Sequence, residues 1–206
     1  MYRVTSIAFA MLIGMAIVAL SSPSARADLI IGDVTLQIYG SNLGGAKNVL
    51  IDGARYDVTF RDGRCTDLFN GCDDATTDFT FQTAAAATSA AQALLDQVFL
   101  DTTAGNFDAD PEKTIGCNYT IACRLYIPYE TNPTSFTAVE AINLMDSLAD
   151  YSSSGNVEDP TRSTYLGLDL AFALFTTVTT PEPATLLLFG GGLAGLAVAR
   201  RRRRGG

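Results

Sequence analysis

Thr137-Ala-Val-Glu-Ala-Ile-Asn-Leu-Met-Asp-Ser-Leu-Ala-Asp150 is the stretch on which the fold class turns. Thr137-x-x-Glu140 has the form of a capping box, in which two side chains satisfy the free amides of a first helical turn. Behind it Ala138, Ile142, Met145 and Ala149 recur at helical spacing, with Ala141 and Leu148 beside them. The pattern predicts a helix ending near Asp150. A second helix is predicted over residues 83–100, capped by Thr83 and carrying Ala91, Leu94, Leu95, Val98 and Phe99 on one face.

Working outward, the other periodic segments have a repeat of two. Val34, Leu36 and Ile38 alternate with Thr35, Gln37 and Tyr39, the mark of a half-buried strand. Residues 48–51 and 55–61 flank Asp52-Gly53, a hairpin signal, with Tyr56, Val58 and Phe60 sharing a face. Leu166, Leu168, Leu170, Phe172 and Leu174 alternate into a last strand. Its other face carries Ala171, Ala173 and Phe175, which makes it a central one. Residues 62–77 read as a polar loop and 79–81 as a short strand. Residues 105–133 read as irregular, apart from a short strand at 125–127, and residues 152–160 as a turn. The fold expected is α+β, a small, mostly antiparallel sheet of about four to five strands packed with two helices.

Both ends of the chain look like addresses. Residues 1–27 have the layout of a secretory signal peptide: Arg3, an apolar core at 7–20, and Ala25-Arg26-Ala27 as cleavage site. Cleavage between Ala27 and Asp28 would leave residues 28–180 as one exported domain of ordinary size. Residues 28–182 contain all 22 acids and seven of the 14 basic residues, a net charge of −15 against −8 for the whole chain. Such a surface repels nucleic acid and stays soluble.

At the far end Pro181-Glu182-Pro183 precedes an apolar run at 184–199, then Arg200, Arg201, Arg202, Arg203 and Arg204. Sixteen helical residues span about 24 Å, short of a hydrocarbon core of roughly 30 Å. The reading is a short transmembrane helix whose arginine cluster stays cytoplasmic. This tail resembles the PEP-CTERM sorting signal of Gram-negative bacteria that make extracellular polysaccharide. The resemblance covers residues 181–206 only. It implies processing by a membrane-embedded exosortase, a transient inner-membrane precursor, and then display at the cell surface or release. It also implies a non-catalytic role in the polysaccharide or biofilm matrix, with polysaccharide as a partner.

Side-chain chemistry narrows the field. The four cysteines form two close pairs, Cys65/Cys72 and Cys117/Cys123. In an exported protein an even count favours disulfides, with three connectivities open. Local pairing would close two small loops, each contributing about 2.5 kcal/mol. Zinc is the competing reading, but the spacings are wide and the chain has no histidine. The lack of histidine also removes the commonest general base, and no catalytic or cofactor-binding residue is assigned. Asn106-x-Asp108-x-Asp110 has calcium-loop spacing, yet Pro111 and Cys117 stand where an EF-hand needs Gly and Glu. A looser calcium turn there is weighed against a solvated loop whose aspartates cap turns. Two alternatives therefore accompany the matrix role: a secreted glycan hydrolase using a carboxylate pair, and a calcium-dependent adhesive module. Tyr119, Tyr126 and Tyr129 would replace the missing tryptophan as sugar platforms.

Overall fold

The computed structural model describes residues 26–146 and 148–179. β1 (Arg26–Ile31), β2 (Val34–Tyr39), β3 (Asn42–Ile51) and β4 (Ala54–Arg61) form an antiparallel meander. The Asp52-Gly53 hairpin is present. Asp52 (φ 47°) and Gly53 (φ 83°) are both left-handed, as a type I′ turn requires. The expected signal cleavage between Ala27 and Asp28 falls inside β1, whose outermost pairs are Arg26 with Tyr39 and Ala27 with Ile38.

A loop then carries two single-turn helices, α1 (Cys65–Leu68) and α2 (Ala75–Asp78), ahead of the long helix α3 (Ala84–Gln97). Thr83 caps α3 as expected, its hydroxyl accepting from the Ala86 amide at 3.2 Å. A two-residue pair, β5 (Asp101–Thr102) and β6 (Gly105–Asn106), leads to β7 (Ala122–Asn132), β8 (Ser135–Leu144), β9 (Tyr151–Glu158) and β10 (Leu170–Thr177). Eight of these strands form one sheet in the order β1-β2-β3-β4-β10-β7-β8-β9. β10 is central, antiparallel to β4 and parallel to β7, and so joins the two antiparallel halves.

The α+β expectation of a four- to five-strand sheet with two helices is overturned. The structure is sheet-dominated, with a single long helix. Residues 137–150 are not a helix: they supply most of β8 and a loop after it. Both periods are written in that stretch, and both faces of β8 are buried, so the repeat of two is hidden by apolar residues on each side. Pairing with β7 on one edge and β9 on the other decides the outcome. The short strand at 125–127 is the middle of the 11-residue β7, and the turn at 152–160 is largely β9. Residues 79–81 form no strand, although Phe79 and Phe81 are buried. β10 begins at Leu170, because residues 164–166 make a 3-10 turn first.

The sheet buries a core on each side. Leu36, Val58, Phe60, Leu125, Val139 and Ala173 pack with the α3 residues Ala87, Ala91 and Leu94. Phe136, Ala138, Tyr126 and Phe172 pack against the 62–79 loop through Phe69 and Phe79. Both disulfides pair locally. Cys65–Cys72 closes that loop, and Cys117–Cys123 ties the approach to β7 to its second residue (Cα–Cα 5.5 Å in each). Among the described residues no helix is long and apolar enough to cross a membrane. The apolar runs at 7–20 and 184–199 lie outside them.

Gly45 tests the bulged β2–β3–β4 pairing. Its φ is +146°, and a Cβ there would overlap the Val58 carbonyl oxygen. Gly45→Ala is expected to cost about 2 kcal/mol or more, read from denaturant unfolding. An unchanged midpoint would contradict this packing.

Candidate functional site

Register places the polar groups. On β8, Phe136, Ala138 and Glu140 face the disulfide loop, while Val139 and Ala141 face α3. Tyr126 of β7 lies opposite Glu140, and Glu158 of β9 lies opposite Phe136. β8 runs between β7 and β9, so the Tyr126 ring must cross it, and the small side chain of Ala138 leaves room. The Tyr126 hydroxyl then donates to Glu158 Oε1 at 2.9 Å, and Arg162 Nη1 donates to Glu158 Oε2 at 3.1 Å. On the other side Arg124 Nε lies 3.2 Å from Asp169 Oδ2.

Glu140 stands among these groups. It is 6 % exposed, and it has no hydrogen-bond partner among the described residues. Burial pushes its carboxyl above the usual range. The charges of Glu158 and Asp169 add to the rise, and Arg124 opposes it. Burial and then the bond to Glu158 push the Tyr126 phenol well above its ordinary value. Beside this cluster Tyr126, Phe136, Glu158, Arg162, Ser163 and Thr164 line a depression of about 10 Å³, room for about one water. Tyr165, which follows Thr164 in the chain, is 70 % exposed. The arrangement can accept and donate hydrogen bonds within a short span, and burial shifts Glu140 toward its protonated form.

The calcium candidates are not brought together as a triad. Asp110 pairs with Lys113, and its amide donates to the Asn106 carbonyl. Asp101 Oδ1 accepts from the amides of Asp108 and Ala109, each at 3.1 Å. The Asp108 carboxyl instead shares a hydrogen bond with Asp150, from the loop between β8 and β9, and Asp150 Oδ1 accepts the Leu144 amide at 2.7 Å. Burial first, then the charge of Asp108, pushes Asp150 up to about 6. Among the described residues no three Asp, Glu or Cys side chains are grouped to hold a metal. Tyr119 is exposed and Tyr129 half-buried, away from the Tyr126 cluster's hydrogen bonds. Sequence reasoning missed Glu140, Glu158, Arg124, Arg162 and Asp150. Its one available signal was a lone acid, Glu140, inside an apolar run.

The Asp108–Asp150 pair has a definite pH signature. The folded state keeps the proton up to about pH 6, whereas an unfolded aspartate releases it near 3.8. Folded protein therefore binds more protons in that window, and stability falls as pH rises through it. Asp150→Asn keeps the acceptor for Leu144 and removes the repulsion. It is expected to raise the melting temperature by about 2–4 °C at pH 7.5 and by far less at pH 4, the half-exposed position screening part of the effect. A gain in melting temperature of wild type with millimolar calcium, lost in Asp150→Asn, would assign the pair to a cation. Identical curves in calcium and in chelator would exclude that role.

The sorting residues Pro181, Glu182, Pro183 and Arg200 to Arg204 lie outside the described residues. No curated protein and no solved structure matches the chain. Residues 179–204 match the family model of the PEP-CTERM protein-sorting motif. The chain thus carries a PEP-CTERM sorting motif, the mark of an exported protein directed to an exosortase, behind a domain that this match does not reach.

Proposed function

We propose that the exported domain is a non-catalytic surface or matrix protein that associates with extracellular polysaccharide once an exosortase has processed its tail. The sorting motif at 179–204 carries this reading. The chemistry of the domain fits it. All four cysteines are held in disulfides, which leaves no thiol nucleophile, and the chain has no histidine. The acidic surface keeps a dense extracellular population soluble.

One observation favours a second reading, a hydrolase acting on matrix glycans. Glu140 holds its proton more tightly than an ordinary carboxyl and feels the charge of Glu158, the division of labour a glycosidase acid and its partner need. Against it, both oxygens of Glu158 are engaged, by Tyr126 and Arg162. Each oxygen keeps a further lone pair, but these two bonds orient the carboxylate toward Tyr126 and Arg162.

Two measurements test the proposal. Mass spectrometry of the surface or released fraction is expected to find mature protein ending near residues 181–184. Changing Arg200 to Arg204 to alanine is expected to leave precursor unprocessed. Abundant peptides from residue 186 onward in that fraction would mean that the tail is not cut. Separately, the protein is expected to sediment with isolated extracellular polysaccharide and to release no reducing sugar from it. Failure to sediment would overturn the matrix role.

A further inference from the structure

We infer that the end of the sheet from which the chain leaves toward its sorting motif is a docking surface for the exosortase, built around Leu50. The inference rests on the sorting reading and adds a part of the folded domain to what the enzyme meets.

The exit is fixed. The Val178 amide donates to the Arg55 carbonyl at 2.9 Å, one step beyond the pairing of Thr177 with Tyr56. Pro181 therefore comes three residues after an anchored point, and Ala184 six. However they are arranged, six residues reach at most about 21 Å. A compact domain of about 150 residues has a radius of gyration of about 15 Å, so it is roughly 38 Å across. An enzyme that closes on residues 181–184 has no room to pass the domain by. It meets the end that carries Arg55.

That end is hollowed. Arg55 lines a hollow of about 280 Å³ with Ile31, Asp33, Leu50, Asp96 and Leu100. A second, of about 290 Å³, shares Leu50 and Asp96 and extends along α3 to Ser89 and across to Asp52. Leu50 lines both and is 43 % exposed. Its backbone is held to α3 in both directions: its amide donates to Gln97 Oε1 at 3.1 Å, and Gln97 Nε2 donates to its carbonyl at 2.8 Å. Around the apolar side chains stand Asp33, Asp52 and Asp96, and Arg55 is already paired with Asp33 at 2.7 Å. The surface fits an apolar side chain flanked by basic groups. Anionic lipid would meet repulsion from the same acids, which leaves the enzyme as the occupant. The opposite end is out of reach. β10 runs about 26 Å from Leu170 to Thr177, and Leu168 lies before its start.

The test uses the full-length precursor in cells that hold the exosortase and reads the ratio of precursor to cut protein by mass. Leu50→Arg and Asp96→Arg, which put a long cation at the hollows, are each expected to raise that ratio about fivefold or more over wild type. Leu168→Arg, at an exposed position on the opposite end, is expected to leave it unchanged. The set is repeated with a spacer of about 20 Gly and Ser residues between Thr179 and Thr180, which frees the motif from the domain. Wild type and variants are then expected to be cut at one rate. Asp96 is exposed on α3, so Asp96→Arg decides the matter even where Leu50→Arg unfolds the domain. An Asp96→Arg ratio equal to that of wild type, or one that stays raised with the spacer, would overturn the docking surface. An equal rise in Leu168→Arg would overturn it too. Wild type left uncut with either linker would instead overturn the sorting reading itself.

Discussion

The backbone ladder between β7 and β8 is the constraint on which the rest of the structure depends. It runs from Ala122 opposite Leu144 to Asn132 opposite Ser135, with one irregularity between Pro128 and Glu130. A period of two then leaves no freedom: Val139 and Ala141 must go to the α3 side, and Ala138 and Glu140 to the other. A slip by one residue would bury Thr137 in place of Phe136 and turn Glu140 into the main core. The ladder also anchors distant parts. It places Asn143, whose side-chain amide donates to the Phe107 carbonyl at 2.7 Å, opposite the disulfide-bonded Cys123.

The two halves of the sheet are joined by β10 alone. Its antiparallel contact with β4 and parallel contact with β7 make one continuous surface from two meanders. A parallel neighbour requires a crossover, and here residues 133–169, with β8 and β9, supply it. The two sides of the sheet are covered by different means. A 14-residue helix covers one, and a short loop closed by Cys65–Cys72 covers part of the other. A loop of that size covers less than a helix does. Tyr126, Glu140, Glu158 and Arg162 meet on this second side.

How much of this was legible follows from which signals were local. The hairpin at Asp52-Gly53, the Thr83 cap and the alternation of β2 depend on neighbouring residues and were readable. The central position of β10 was readable from two apolar faces. Residues 137–144 were not, because a strand buried on both sides has no polar alternation, and Thr137-x-x-Glu140 mimics a cap. β9 was not readable because Tyr-Ser-Ser-Ser-Gly-Asn-Val-Glu is polar and lies at a sheet edge, where pairing on one side suffices. The site residues were hidden for the same reason. Glu140 and Glu158 meet only through strand pairing, and Asp108 and Asp150 meet only because the segment before Asp150 is strand and loop. The cysteine pairs, six and seven residues apart, needed no such assembly.

The central claim is that residues 136–144 form a strand whose pairing presents Glu140 beside Glu158. Nuclear Overhauser spectroscopy of the exported domain tests it most directly. The account predicts cross-strand contacts linking Leu125 with Ala141 and Ile127 with Val139, together with contacts between β8 and β9 around Glu140 and Ser153. A run of helical contacts three residues apart from Ala138 to Ala149, with those cross-strand contacts missing, would contradict it.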